Sequence, residues 1–459
     1  MSASLNGRHR VLVVGGGSWG TAIARLVAQN AQKDPAFFET IMLYLKDETI
    51  EGGARLSQVI NERHENVKYL PGVALPSNVV AEPDLVKAAH EATLVLIAIP
   101  QQFIHRGLFS NIVAGCAPNC RYLSLVKGLS FKEHMTSDEF DALTVDLVPT
   151  LVSLQIQRET NGASVSVLMG ANVATEVAND EFCEATIGVS EMEAGKVWFR
   201  LLNRPNFRVN VVTDVEGVEV CGGLKNVVAM AAGFCDGLKL GGNAKAAIVR
   251  IGLEELRRFG KHVFNAQEST FFESCGVGDV LTSCYSTSGR HRLCAEAFAS
   301  THAGRSWADI EREKLGGQSL ADLDALQNLI TYLRCKGVAS SKYPLFSLVH
   351  SIAFEGRPAS EITMLRDRHA WRVKTKSKYP RFAPLGELLI LVAVVAAALV
   401  VLIPREAIVR PVLGSWQAAG SQIAAASTSR FSALFAPAAE APLQPMKGKG
   451  KGDRRHGKA

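Results

Sequence analysis

The chain has 459 residues, 47% of them hydrophobic and 20% charged, with a formal net charge of +6. That length and apolar content support two ordinary domains with their own cores and exclude a disordered chain. The modest positive charge suits an anionic small molecule without calling for nucleic acid, and nine cysteines without paired metal-ligand spacing give no metal site. Cys116 and Cys120 are the closest pair, and all nine read as reduced thiols.

The N-terminus runs MSASLNGRHR straight into a strand-like segment at residues 11–14. Its apolar run is broken by Gly15, Gly16 and Gly17, so neither a secretory signal nor an organelle presequence is expected. The glycines then fall as GxGxxG at Gly15, Gly17 and Gly20, with Ser18 and Trp19 between, and a helical pattern follows. The first glycine permits a tight turn. The second lets backbone approach a pyrophosphate, and the third lets helix and strand pack closely. The phosphates would sit on the free N–H groups of the helix start. A second strand is predicted at 41–45. An acid at its end would bind the adenosine ribose, but Lys46 stands there, followed by Asp47 and Glu48. NAD is the expected cofactor, with NADP left open by Lys46.

Residues 94–100 predict another buried strand, ending in Gln101, Gln102 and Phe103. Ligands meet the carboxyl ends of parallel strands, which offers Phe103 to the nicotinamide. A further strand at 122–126 ends in Lys127, well placed for a substrate oxygen or phosphate. After Asn210 the pattern turns helical. Residues 216–235 predict one long helix rich in small residues, carrying adjacent Lys225 and Asn226 among apolar neighbours. Burial lowers a lysine pKa and suits it to general acid–base work near neutrality. Residues 273–283 read as a turn into a helix, with Asp279 near its start and Thr282 and Ser283 one turn on. Asp279 can pair with Lys225 or serve as a plain N-cap. Arg290 offers a planar fork to phosphate, and Gln318 in a glycine loop offers an amide to the cofactor.

The C-terminal part differs. Residues 388–403 are sixteen consecutive apolar residues, and the stretch 383–403 is interrupted only by Glu387. A membrane span takes about 20 residues, so 383–403 predicts a transmembrane helix. Arg366, Arg368, Arg372, Lys374, Lys376, Lys378 and Arg381 precede it, which predicts that the large N-terminal part stays cytosolic. The tail is rich in Ala, Ser and Pro and ends KGKGKGDRRHGKA. It reads as low-complexity, with a short surface helix at 415–434 as an option.

Several ordered blocks together resemble the NAD-dependent glycerol-3-phosphate dehydrogenases of the eukaryotic cytosolic type. They are HENVKYLPG at 64–72, SLVKG at 124–128, SVLMGAN at 166–172, GLKNVVA at 223–229, FFESCGVGDVLTSCY at 271–285, GGQ at 316–318 and KYPLF at 342–346. The resemblance runs from about residue 10 to 366. It implies an α/β fold, with a doubly wound Rossmann-type sheet followed by an all-helical substrate domain. It also implies a homodimer acting on dihydroxyacetone phosphate and glycerol 3-phosphate.

Carried over by position, Lys225 matches the catalytic acid–base lysine. Lys127, Asn226, Asp279 and Arg290 match residues around the substrate, and Ser283 stands where Thr is common. Phe103, Ala174 and Gln318 match cofactor-side positions. His291 replaces a usual Asn beside the phosphate-binding Arg, the loop 286–289 is two residues longer, and Lys46 replaces an acid. The expected division is a nucleotide domain at 1–210, a catalytic domain at 211–366, a basic linker at 367–382, a membrane helix at 383–403 and a tail at 404–459.

Overall fold

The structure is a computed structural model, and it describes residues 7–137, 143–300, 305–316, 320 and 322–365. The predicted linker, membrane helix and tail lie outside the described residues, as does Gln318. Strands β1 (His9–Val14), β2 (Phe37–Tyr44), β3 (Val79–Glu82), β4 (Leu94–Ile97) and β5 (Arg121–Ser124) are followed by the hairpin β6 (Leu129–Ser137) and β7 (Leu143–Leu151). Strands β8 (Val165–Ala171), β9 (Cys183–Gly188) and β10 (Phe207–Val212) complete the first lobe. Its helices are α1 (Ser18–Ala31), α2 (Leu56–Arg63), α3 (Leu85–Ala88), α4 (Arg106–Gly115), α5 (Val152–Glu159), α6 (Ala174–Ala178) and α7 (Met192–Leu202).

Eight strands form one sheet in the order β10-β9-β8-β5-β4-β1-β2-β3. From β3 through β8 every neighbouring pair is parallel, and β9 joins β8 antiparallel. Both faces are covered at the centre of the sheet, which is why β1, β4 and β8 are nearly continuous apolar runs. Val11 and Val13 pack with α1 and α7 on one face, while Leu12 and Val14 pack with α3, α4 and α5 on the other. Three predicted strands shift. The one at 41–45 runs from Phe37 to Tyr44, and that at 122–126 runs from Arg121 to Ser124. The one at 94–100 stops at Ile97, where Ala98 crosses under the glycine turn and Pro100 opens a 3-10 turn over Gln101–Phe103. Strand β10 reaches Val212, so the division expected after residue 210 falls within it.

The second lobe holds α8 (Val215–Gly237), α9 (Gly242–Phe264), α10 (Asp279–Tyr285), α11 (Arg290–Ser300), α12 (Trp307–Leu315), α13 (Asp322–Cys335) and α14 (Pro344–Phe354). Helix α8 matches the long helix predicted at 216–235. The small-residue run beyond it is broken where Lys239 takes a left-handed φ of 54°. Among the described residues α8 alone is long and apolar enough to cross a membrane, yet it is the buried axis of this lobe. A Cβ at Gly233 would lie 2.2 Å from the Arg292 carbonyl oxygen, so α8 and α11 meet backbone to backbone.

Buried carboxylates fasten helix starts, where N–H groups lack intrahelical partners. Asp214 caps α8 by accepting from Gly217 N (2.9 Å), and it also accepts from Gln267 N (2.8 Å). Glu255 on α9 accepts from Leu345 N (2.7 Å) and Phe346 N (2.9 Å) at the start of α14. Glu219 on α8 accepts from Ser153 N (3.1 Å) at the start of α5, which joins the two lobes.

Candidate active site

The glycine turn connects β1 to α1. Gly15 has φ +126°, and a Cβ there would lie 2.3 Å from the Ala98 carbonyl oxygen. A Cβ on Gly20 would lie 1.9 Å from the Gly15 carbonyl oxygen, while one on Gly17 would meet nothing within 4 Å. Two glycines are therefore demanded by packing, and the third leaves open space at the helix start. That arrangement fits a dinucleotide pyrophosphate, because α1 carries no acidic residue in its first turn and no side-chain cap. Ser18 Oγ donates to the Tyr69 carbonyl (2.5 Å), and Trp19 packs partly buried against the sheet core. Beyond β2, Lys46 is exposed; Asp47 pairs with Arg55 (3.0 Å), and Glu48 accepts from Tyr69 Oη (2.7 Å).

A cavity of about 850 Å³ lies between the carboxyl ends of the strands and the helical lobe. Pro100 and Gln101 enter it from β4, Lys127 from β5, and Asn172 and Val173 from β8. Lys225 and Asn226 enter from α8, Asp279 and Ser283 from α10, and Arg290 and His291 from the start of α11. Phe103, 53% exposed, does not line it, and Ala174 opens α6 against the sheet core.

Local structure explains how Asp279 reaches this place. Residues Ser274–Gly278 form a π-helical turn directly before α10. Ser274 Oγ donates to the Glu184 carbonyl (2.6 Å), and Cys275 N donates to Thr186 Oγ1 (3.2 Å), which docks the turn on β9. Asp279 is no N-cap; its side chain points inward, 2% exposed. Lys225 Nζ donates to Asp279 Oδ1 (2.6 Å) and to Ser283 Oγ (2.7 Å). Lys127 Nζ donates to Asp279 Oδ2 (2.7 Å) and reaches the Gly170 carbonyl (3.4 Å). One buried carboxylate thus bridges two ammonium groups.

The electrostatics follow from burial. Lys225 is 7% exposed, and desolvation pulls its pKa down to about 8, although Asp279 resists the fall. Burial alone would raise the Asp279 carboxyl, yet Lys127 and Lys225 outweigh it and hold it below the usual range. A lysine poised near 8 can give or accept a proton at physiological pH. Arg290 is exposed at the mouth, and its loop is fastened from behind. Arg292 Nε donates to the Ser286 carbonyl (3.0 Å), and its Nη1 donates to Asp236 (2.7 Å) and Glu296 (2.9 Å).

Sequence reasoning missed part of the lining. Ser130 and Phe131 come from the unforeseen hairpin, and Asp324 and Asn328 lie one turn apart on α13. The legible signal was Asn172, which closes the SVLMGAN block at the carboxyl end of β8. Among the described residues, no cluster of three metal-ligating side chains occurs.

The chain is similar to known proteins over most of its length. Residues 10–195 match the N-terminal domain profile of NAD-dependent glycerol-3-phosphate dehydrogenase, and residues 214–364 match its C-terminal domain profile. The chain is 42% identical over 364 residues to the human cytoplasmic NAD(+) glycerol-3-phosphate dehydrogenase, covering 78% of this chain and 98% of that protein. It is 43% identical over 364 residues to the zebrafish (Danio rerio) glycerol-3-phosphate dehydrogenase 1-like protein, covering 78% and 97%. The solved Saccharomyces cerevisiae glycerol-3-phosphate dehydrogenase superposes with a TM-score of 0.68 at 34% identity, over 78% of this chain and 99% of that one. The Plasmodium falciparum enzyme gives 0.70 at 33% identity, over 79% and 96%.

Proposed function

The chain belongs to the NAD-dependent glycerol-3-phosphate dehydrogenase family, and from that membership we propose how its cleft works and where in the cell it acts. It is an NAD-dependent enzyme that interconverts dihydroxyacetone phosphate and sn-glycerol 3-phosphate. When bound, NADH supplies the hydride for the substrate carbonyl carbon. Protonated Lys225 gives the carbonyl oxygen its proton, and its charge stabilises the negative charge growing there. In the reverse direction, neutral Lys225 removes the proton of the hydroxyl. Asp279 aims Lys225 and sets its proton affinity, and Lys127 keeps that carboxylate ionised. Asn226, Ser283 and His291 orient the substrate, while Arg290 takes its phosphate with a planar fork.

Gly15, Gly17, Ser18, Trp19 and Gly20 hold the pyrophosphate side of NAD. By the family resemblance, Phe103, Lys127, Ala174, Arg290 and Gln318 would serve the rest of it, with Phe103 standing exposed beside the cavity and Ala174 at the sheet core. The observation that carries this reading is the buried Lys225, hydrogen-bonded to Asp279 at the wall of the cavity. Lys225→Ala is expected to lower turnover by about 10²- to 10⁴-fold with NADH binding retained. Turnover near wild type would refute it.

The proposal extends to location. The relatives' match leaves the region after residue 364 outside the family profile, and that region contains the apolar stretch 383–403 behind a basic linker. We take it to anchor the enzyme with its catalytic lobes in the cytosol, supplying glycerol 3-phosphate to glycerolipid assembly. A fluorescent fusion lacking residues 388–403 is expected to become soluble; unchanged membrane localisation would overturn the anchor. A homodimer completes the proposal, and sedimentation of the active enzyme as a monomer would remove it.

A further inference from the structure

The pair Cys116 and Cys120 has no part in the chemistry above, and it sits at the amino end of the central strand β5, away from the strands' carboxyl ends that face the cavity. Cys116 follows the last residue of α4, and Cys120 immediately precedes β5. The residues between them fold back as a turn, closed by Cys120 N donating to the Ala117 carbonyl (3.1 Å). The turn forms one wall of a cleft of about 460 Å³, and the segment from Thr160 to Ser164 forms the other. Cys116 is half-buried at this cleft, and Cys120 lies behind it at 6% exposed.

The two thiols interact with each other and with Tyr122, whose hydroxyl lies 3.4 Å from Cys116 Sγ. The Tyr122 hydroxyl is thus within hydrogen-bond reach of the accessible sulfur, while Cys120 Sγ donates to the Arg121 carbonyl (3.7 Å). A donor of this kind favours a thiolate. The neighbouring Cys120 thiol, with help from Tyr122 and against burial, brings the Cys116 thiol down to about 6. The Cys116 contact, together with burial, pushes the Cys120 thiol up, against a smaller opposing effect of Tyr122. The remaining cysteines show a different pattern: six are buried, and Cys335 is exposed on α13.

We infer that Cys116 and Cys120 form a reversible thiol–disulfide modification site, in which Cys116 attacks, Cys120 resolves, and a low-molecular-weight disulfide of the glutathione class is the oxidant. The Cys116 thiolate attacks one sulfur of the oxidant, breaking its S–S bond and expelling one thiolate. The Cys120 thiol then loses its proton and attacks Cys116 Sγ, which breaks the mixed disulfide and expels the second thiolate. Two protein thiols are oxidised, the small disulfide is reduced by two electrons, and the two protons pass to its two thiol products.

The test uses the full-length, fully reduced protein incubated with glutathione disulfide near neutral pH. Remaining thiols are then alkylated and mapped by peptide mass. Cys116 and Cys120 are expected to be lost together from the alkylated pool as an internal disulfide, and dithiothreitol restores both. In Cys120→Ser the reaction is expected to stop at a glutathione adduct on Cys116, and in Cys116→Ser residue 120 stays alkylatable. Neither residue lines the catalytic cavity, so turnover of the reduced variants reports their folding. Retention of both thiols in the wild type, or adducts confined to Cys335, would overturn the assignment. So would a Cys120→Ser protein without an adduct on Cys116. Should Cys116→Ser fail to fold, the wild-type map and the Cys120→Ser adduct still decide.

Discussion

Lys225 is governed by two opposed effects, a buried position that expels its charge and a carboxylate that retains it. Reduction of the ketone needs the protonated amine, so its kcat is expected to fall as pH rises through about 8. Oxidation of the alcohol needs the neutral amine and is expected to rise over the same range. Asp279→Asn removes the charge that holds the proton on Lys225, so both limbs are expected to move to lower pH. Profiles of kcat in the two directions check this, and an unmoved midpoint in the Asn variant would uncouple the carboxylate from the lysine. A second residue acts at one remove. Arg292 fixes the loop that presents Arg290, and Asp236 holds Arg292 together with Lys245 (2.7 Å). Losing a charge-assisted hydrogen bond costs about 1.5–3 kcal/mol. Arg292→Ala is therefore expected to raise KM for dihydroxyacetone phosphate by about tenfold or more, with a smaller change in kcat. Steady-state kinetics separate the two; an effect on kcat alone would place Arg292 elsewhere in the mechanism.

The β1–α1 turn separates structural from ligand-directed glycine. Gly20→Ala would drive a methyl into the Gly15 carbonyl, and overpacking of this kind costs about 1–3 kcal/mol. Gly17→Ala meets open space and is expected to leave the melting temperature near wild type while weakening NADH binding. Thermal melts and NADH titrations of both variants test this; undisturbed NADH affinity in Gly17→Ala would move the pyrophosphate off the turn. The same turn was legible in the sequence because its glycine spacing is short-range and sterically dictated. So was α8, while the sequence offered the pairing of Lys225 with Asp279 only beside an N-cap reading that the structure then decided. The hairpin β6–β7 was not legible, because its strands carry charged and polar residues and lack the apolar run that marked the sheet strands. The lining residues Asp324 and Asn328 were also hidden. Their role depends on how α13 lies across the cavity, which no local pattern encodes. Phe103, offered to the nicotinamide by strand-end logic, stands exposed beside the cavity.

The described lobes account for nearly the whole length of the cytoplasmic relatives, and the family profile ends at residue 364. Under the proposed function, chemistry and location are separable parts of one chain. The sheet lobe carries the glycine turn and Lys127, the helical lobe carries Lys225, Asp279 and Arg290, and the remaining residues supply the proposed tether. Glu219 joins the lobes through the start of α5, and burial raises its carboxyl to about 7. The folded state therefore keeps a proton between about pH 4.5 and 7 that the unfolded chain has released, so stability falls as pH rises through that window. Glu219→Gln is expected to flatten this part of the stability–pH curve, as read by denaturant titration, and an unchanged slope would assign the dependence to other groups. The most direct measurement follows NADH oxidation at 340 nm with dihydroxyacetone phosphate, on the full-length chain and on one ending at Arg372, with NADPH in parallel. Turnover with NADH at similar kcat in both chains is expected. Bound NADH without substrate-dependent oxidation in either chain would contradict a self-sufficient glycerol-3-phosphate dehydrogenase.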